Sequence, residues 1–434
     1  MAGPFYCDIG ATFVAGQDGS DHTGNEFKSA SALMKKINGW GMNALAAGEI
    51  VYIKGKDANR AHLGRLVYVE TTVDLTTDGW AAGNVLQNSD DDGATKGDTW
   101  QGQLVYGGNL FLLMELDDGY DFDDVDDADG IWNDTVSEEM TAVQVVASSC
   151  TGVFLSASAV SGTAAGGCSK LIAVDSNWAV RTDDSADAMF ELDGDDLAQY
   201  CFSDENGKDF IKIKGMIAHD AVSHNIYYSS GSTMWQLEWI YSYNAGGMGI
   251  NLTGLQYSNL AHFVTVNNAA QGLYRGTYCN YAFGRVAGNG SDGIVAFNIN
   301  TYYGVLSYEN AGRDVHFDKL AVVMINCVVD GSTGESGLEI DADSNFMVLG
   351  CRFTNNATGG KFGIEANQPL DNTIYIDYCV FDGNDTDYTA TLDVGMHSDD
   401  GPVDDGYVNA ATDDYNIKSG AEIRSTEVNL FWEA

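Results

Sequence analysis

Basic side chains are scarce in this chain. It has 21 Lys and Arg against 63 Asp and Glu in 434 residues, a formal net charge of -42. Such a surface cannot neutralise a phosphate backbone, so nucleic-acid binding is excluded. The same charge opposes docking on an anionic membrane surface. Proline is rarer still, with 3 residues against 51 Gly, so the chain turns on Gly, Asn and Asp. No apolar run approaches the roughly 18 residues a membrane span needs. There is no CxxC pair, no HExxH or HxH spacing among the seven histidines, no GxSxG, and no P-loop or dinucleotide fingerprint. Structural zinc, zincin, α/β-hydrolase and nucleotide chemistries are therefore unsupported.

What is present is ample material for a core. Residues are 44% hydrophobic and 11% aromatic, too apolar for wholesale disorder despite the charge. Met1 leads into a polar, glycine-rich stretch without a basic segment and apolar run, so the expectation is no signal peptide and folding in a cytoplasm. The eight cysteines are then expected to be reduced thiols.

Their spacing carries the fold. The positions of Cys327, Cys351 and Cys379 differ by 24 and then by 28. Around each the pattern is apolar, any, apolar, any, any, Cys, any, apolar: Val322, Met324, Cys327, Val329; then Phe346, Val348, Cys351, Phe353; then Ile374, Ile376, Cys379, Phe381. Alternation of period two marks a strand with one buried face. The extra residue before each Cys is a phase slip where the strand bends at a corner. A second element, Gly337 to Ile340 and then Gly363 to Ala366, precedes the later units. Two or three short strands in each such interval make one coil of a parallel β-solenoid. Ile211 to Ala218 and Ile250 to Tyr257 fit the same template, and Cys279 lies two of the shorter intervals before Cys327. The phase between 225 and 310 is not fixed by this pattern. The Cys column reads as packing, not as catalytic thiols.

These units resemble the right-handed parallel β-helix of pectate-lyase-like proteins and phage tailspikes. The start supports it: Tyr6 to Thr12 as a first strand, a capping helix within Ser29 to Leu45, and Ala47 to Lys54, similar to an "AGD-x-V-Y-I" strand. Asp413 to Gly420 resembles the closing strand of such helices. The fold class implied is all-β, a single-stranded right-handed parallel β-helix with an N-terminal capping helix and long lateral loops in the first coils. Its parts are a cap and first coils at 1–70, early coils with acidic loops at 71–200, regular coils at 201–390 and closing strands at 391–434.

Candidate sites follow from residue type and placement. The acidic runs around Asp90, Asp92, Asp121 and Asp123 read first as solvated loops; as hard oxygen ligands, they would take calcium. They do not follow the EF-hand template, and no cofactor is required. Trp235, Trp239 and Tyr241 belong to an aromatic cluster with Tyr227, Tyr228 and Tyr243. Exposed, it would stack on glycans; buried, it would fill the wider coils, and burial is the expectation for the Trp. By the resemblance, a lyase would need an exterior Arg beside acids. Arg352, between Cys351 and Phe353, is expected to point outwards. For glycoside hydrolysis, Glu339 and Glu365, one coil apart on equivalent positions, are the carboxylate pair to test, and otherwise an outward polar pair on the strand. The G-H-G and R-x-K motifs of polygalacturonase-like hydrolases are absent.

The leading functional expectation is a virion surface protein of a phage or similar virus, of capsid-decoration, head-spike or tailspike class. It would be made in the host cytoplasm, form a homo-oligomer, by resemblance a trimer, and meet other virion proteins and host glycans without catalysis. The acidity fits saline water. The rival is a calcium-dependent polysaccharide lyase or glycoside hydrolase, marked by carboxylates beside an Arg or Lys in a groove. A non-catalytic adhesin is the third reading.

Overall fold

The computed structural model describes residues 4–76, 79–89, 96–125, 130–159, 161–180, 188–319, 321–341, 345–356, 361–367, 374–390, 392–395, 398, 407–409 and 414–417. The chain divides into two compact units, Met1–Ser232 and Thr233–Ala434. Both are built from short parallel strands stacked coil upon coil, the architecture of a parallel β-helix.

In the first unit, strands Phe5–Asp8, Ile50–Lys54, Ser169–Ala173 and Ile211–His219 pair in that order, with Cys7 opposite Ile53, Val51 opposite Leu171 and Leu171 opposite Ile213. These side chains are buried, as alternation requires. A second strip stacks Ala61–His62, Phe190–Asp193 and the end of Ile211–His219, so that His62, Asp193 and His219 share one register position. The helix spans Ala30–Asn38 and buries Leu33, Met34 and Ile37. It stops well short of Leu45 because Gly39 adopts φ 71, a left-handed C-terminal cap. A Cβ at Gly39 would also lie 2.8 Å from that of Ala44.

The lateral loops expected within 71–200 are largely a folded sheet. Seven strands between Leu66 and Cys150 form one antiparallel layer with its own core, including Val67, Trp80, Leu86, Trp100, Leu112 and Met114. The sheet is inserted between two neighbouring coils: Lys54 ends a strand whose partner ends at Ala173. Apolar runs and acidic turns mark this region in the sequence, but antiparallel pairing depends on non-local register.

The second unit resolves the phase lost between 225 and 310. In the outward column Asn259, Asn280, Thr301, successive members are 21 apart in sequence, so the longer Cys template slides out of register. The coils lengthen again through Val323, Met347 and Tyr375. The stretch from Ile250 to Tyr257 is accordingly not the Cys-type corner. Ile250–Asn251 belongs to the opposite strip, pairing with Leu273–Tyr274. Cys279 also leaves its expected column. It directly precedes Asn280, which stacks below Thr301 and Val323, whereas Cys327 precedes Val328, past the bend on the next strand.

The expected corner is there. Asn326, Gly350 and Tyr378, each directly before a Cys, have φ of 52, 60 and 57. Trp239, His262 and Phe283 hold the equivalent left-handed position in earlier coils, at 58, 53 and 54. The following corner is lined on its inner side by stacked asparagines. Asn268 donates through Nδ2 to Asn289 at 2.9 Å and Asn289 to Asn310 at 2.8 Å. All three are buried. At the far end, Asp414–Ile417 is a strand, as the closing motif implied, and it pairs antiparallel with Tyr407–Asn409.

Candidate functional site

In the first unit, alternation turns Leu192 inward and leaves Glu191 and Asp193 on the outer wall. Register then brings His62 and His219 to either side of Asp193. His219 Nε2 lies 2.8 Å from Glu191 Oε1, and its Nδ1 lies 2.7 Å from Asp220 Oδ2. Arg60 Nε donates to Asp193 at 2.6 Å, and the Asp57 N–H donates to Glu191 at 2.7 Å. His62 Nδ1 lies 3.0 Å from Asp195, whose other oxygen accepts from the Gly64 N–H. Burial alone would depress His219, but its bonds to Glu191 and Asp220 outweigh it and hold the imidazole above its ordinary value. Burial would likewise raise Glu191. The His219 bond and the Asp57 N–H prevail and hold it low.

Beside this wall opens a cavity of ≈ 470 Å³, lined by Lys54, Lys56, Asp57, Asn59, Ser176 and Asn177 among others. That volume lies within the range of small-molecule sites, about 300–1,000 Å³. Asp175 builds one rim by accepting the N–H groups of Asn177 and Ala179 at 2.8 and 2.9 Å. The turn presents Trp178, with φ 64, to Lys54, whose ammonium sits 4.5 Å from the ring centre. Lys54 also meets Asp8 at 3.3 Å. Tyr6 meets the same indole edge-on at 5.3 Å.

Two groups in the outer wall bring metal-ligating atoms within 4.8 Å of one another: His62, Asp193 and Asp195, and Asp193, His219 and Asp220. Neither suits calcium, which takes six to eight oxygens. Each includes an imidazole, and the oxygens of Asp193 are already engaged by Arg60 and the Asp195 N–H. The acids expected to bind calcium lie elsewhere. Asp90 and Asp92 fall outside the described residues. Asp121 and Asp123 are exposed, and the Asp121 carboxylate caps its own turn by accepting the Asp123 N–H at 3.0 Å. This is local turn chemistry of the Asx kind.

The second unit holds the other charged group. Arg313 binds Glu339, reaches Glu335 at 2.8 Å and Asp292 at 3.4 Å. His316 lies 2.8 Å from Asp341, and Asn367 Nδ2 donates to both Glu339 and Asp341. Burial, together with the Asp341 charge, holds Glu339 above the usual carboxylate range against the pull of Arg313. Burial would raise Asp341 as well, but Asn367 and His316 overcome it and hold that carboxyl low. Glu339 and Glu365 are register partners as expected, yet Glu365 bonds Ser336 instead.

Arg352 is corrected by the structure. It alternates with Cys351 and Phe353 as expected, but its side chain is 0% exposed, and its register partners Val328 and Val380 are buried too. In the second unit the cation among Asp292, Glu335 and Glu339 is Arg313, legible in sequence only as one of several arginines. Trp235 is likewise 0% exposed and fills a coil. Trp239 is half-buried and stacked on His262 at 4.1 Å; with Tyr241 it borders a recess of ≈ 190 Å³.

No family model and no curated protein sequence matches the chain. Among solved structures, pectate lyase Pel9A is similar over 94% of this chain and 84% of its own, at 12% identity and a TM-score of 0.50. That likeness shows the fold, a right-handed parallel β-helix. The A-module of Azotobacter vinelandii mannuronan C-5 epimerase AlgE4 is similar over 57% of this chain and 83% of its own, at 14% identity and a TM-score of 0.37. A GH87 α-1,3-glucanase catalytic domain in complex with tetrasaccharides follows at 75% and 73%, 11% identity and a TM-score of 0.32.

Proposed function

We propose that the protein engages a polysaccharide segment in the cleft of its first unit. The observation that carries this reading is the lining. Lys54, Lys56, Asp57, Asn59, Ser176 and Asn177 set donors and acceptors around one cavity, with Trp178 beside it. A sugar presents hydroxyls that both donate and accept, together with an apolar ring face, and this mixture is its complement. The two lysines, in a chain with few cations, additionally favour a glycan bearing carboxylates. The shared fold with a protein named a pectate lyase agrees with a glycan ligand, but the cleft is the stronger support.

The residues divide the work. Lys54 and Lys56 pair with acidic groups of the ligand, Asn59 and Asn177 orient its hydroxyls, and Trp178 covers its ring. The Glu191–His219–Asp193–Arg60 wall holds the Asp57 backbone in place and fixes the cleft floor.

The test is titration of a panel of neutral and acidic polysaccharides, with unsaturated products and new reducing ends followed in the same samples. Wild type is expected to bind at least one acidic glycan. Trp178→Ala and Lys56→Ala are each expected to weaken that binding about ten-fold, or roughly 1.4 kcal/mol. Absence of binding across the panel, or undiminished binding in both variants, would overturn the reading. Cleavage products would make the protein a lyase or hydrolase. Binding without cleavage is what a virion-surface attachment protein requires.

A further inference from the structure

One face of the second unit is nearly free of charge. The outward column runs from Asn259 through Asn280, Thr301, Val323 and Met347 to Tyr375. The parallel column from Ala261 to Leu349 is equally uncharged. Among the described residues of these two columns, only Glu238 in the first row is both charged and accessible, since Asp377 in the last is buried. Along the preceding corner Met234, Tyr257, Tyr278 and Ile299 are all exposed. The opposite strip of the same unit behaves otherwise, carrying Arg313, His316, Glu339 and Glu365.

We infer that this face associates with a second copy of the chain. Two copies each carrying -42 repel, and they can meet only where like charge has been removed. A glycan imposes no such exclusion, because carboxylates are good partners for hydroxyls. Most rings of the face are also already covered by one another. Tyr257 and Tyr278 stack on each other at 4.7 Å and 7°. Trp239, His262 and Phe283 stack likewise, at 4.1 and 5.2 Å. The rings present edges, alongside Met, Val, Ile and Leu, which is the composition of a protein interface: aromatic and Met rich, acid poor. The recess of ≈ 190 Å³ beside Trp239, bordered past the bend by the exposed Arg285, is small for a glycan subsite and sized for one protruding side chain.

Seven rows about 4.8 Å apart and five residues of about 3.3 Å between corners give on the order of 500 Å² per copy. That is below the roughly 800 Å² of a standard interface, so the association is reversible and concentration-dependent. Because both partners are acidic, salt strengthens it by screening the charge outside the interface.

Sedimentation velocity of the whole chain tests this across the soluble concentration range, at low and high salt. Wild type is expected to exceed 46.5 kDa as concentration rises, more so at high salt. Asn280→Asp with Met347→Asp puts two carboxylates on the face and is expected to weaken association at least about ten-fold. Val143→Asp with Val146→Asp adds the same charge at exposed positions of the first unit and is expected to behave as wild type. Circular dichroism establishes that each variant is folded; should the double variant not fold, Asn259→Asp, nearly isosteric, takes its place. A wild type that stays at 46.5 kDa throughout overturns the inference, as does a folded face variant that associates like wild type, or a monomer that binds glycan on this face. Cleft binding by Trp178→Ala is a separate readout, so either proposal can fail without the other.

Discussion

His219 has a carboxylate on each ring nitrogen, Glu191 on one side and Asp220 on the other, and both His219 and Glu191 are buried. The pair is held from both ends of the pH scale. His219, held above about 6.5, contributes stability that is full below that value and lost as pH rises through its folded pKa. Glu191, held low, contributes stability present above about 4.3 and lost as pH falls through its folded pKa. Glu191→Gln is expected to move the His219 titration back towards its ordinary value, read from the imidazole proton shift against pH. A titration unmoved by the substitution would show that Glu191 does not set it. His219→Ala, which leaves Glu191 with the Asp57 N–H but without its imidazole, is expected to cost about 1–3 kcal/mol in denaturant unfolding. None of this was legible in the sequence. His62, Asp193 and His219 lie far apart along the chain, and only coil register joins them.

Among the elements, the asparagine ladder and the corner that it lines explain each other. Each coil must turn sharply after the corner, leaving backbone N–H groups facing inward with no strand to receive them. The next asparagine along supplies the acceptor: Asn289 Oδ1 takes the Asn268 N–H at 3.2 Å, and Asn310 Oδ1 takes that of Asn289 at 3.1 Å. Asn289→Ala would leave the Asn268 backbone N–H without its acceptor, while Asn268 Nδ2 keeps Thr265, and is expected to lower stability by about 1–3 kcal/mol, measured as a shift in urea midpoint. Replacement of exposed Asn280 should change it little. The Cys units between 322 and 381 were readable because strand, bend and buried Cys repeat in nearly constant register there. The coils from 236 to 301 were not, because their period is shorter and Trp, His and Phe occupy the corner that Asn, Gly and Tyr hold later. A left-handed φ at a tryptophan is a tertiary demand that propensity argues against.

For the molecule as a whole, the charge sets both solubility and its limits. Self-repulsion at -42 weakens the compact state, and screening relieves it. Added salt is therefore expected to raise the melting temperature, and to do so in the folded Asn280→Asp, Met347→Asp variant too, where association does not contribute. A melting temperature independent of salt would show that the acids are spaced widely enough not to matter. The uncharged face of the second unit is conspicuous only against this background.

Residue order alone sufficed for the fold class, the buried Cys units, the bend before each, the helix near Ala30 and the register partnership of Glu339 with Glu365. Each is encoded in periodicity over a few residues or in a repeat of nearly constant length. It took the folded chain to establish that seven strands between Leu66 and Cys150 form an antiparallel sheet and that Arg352 is buried. The same holds for Arg313 as the cation among the acids and for the polar cleft beside Trp178. Those outcomes depend on which coil lies against which. An alternating strand pattern says which side faces out, but not what comes to cover it.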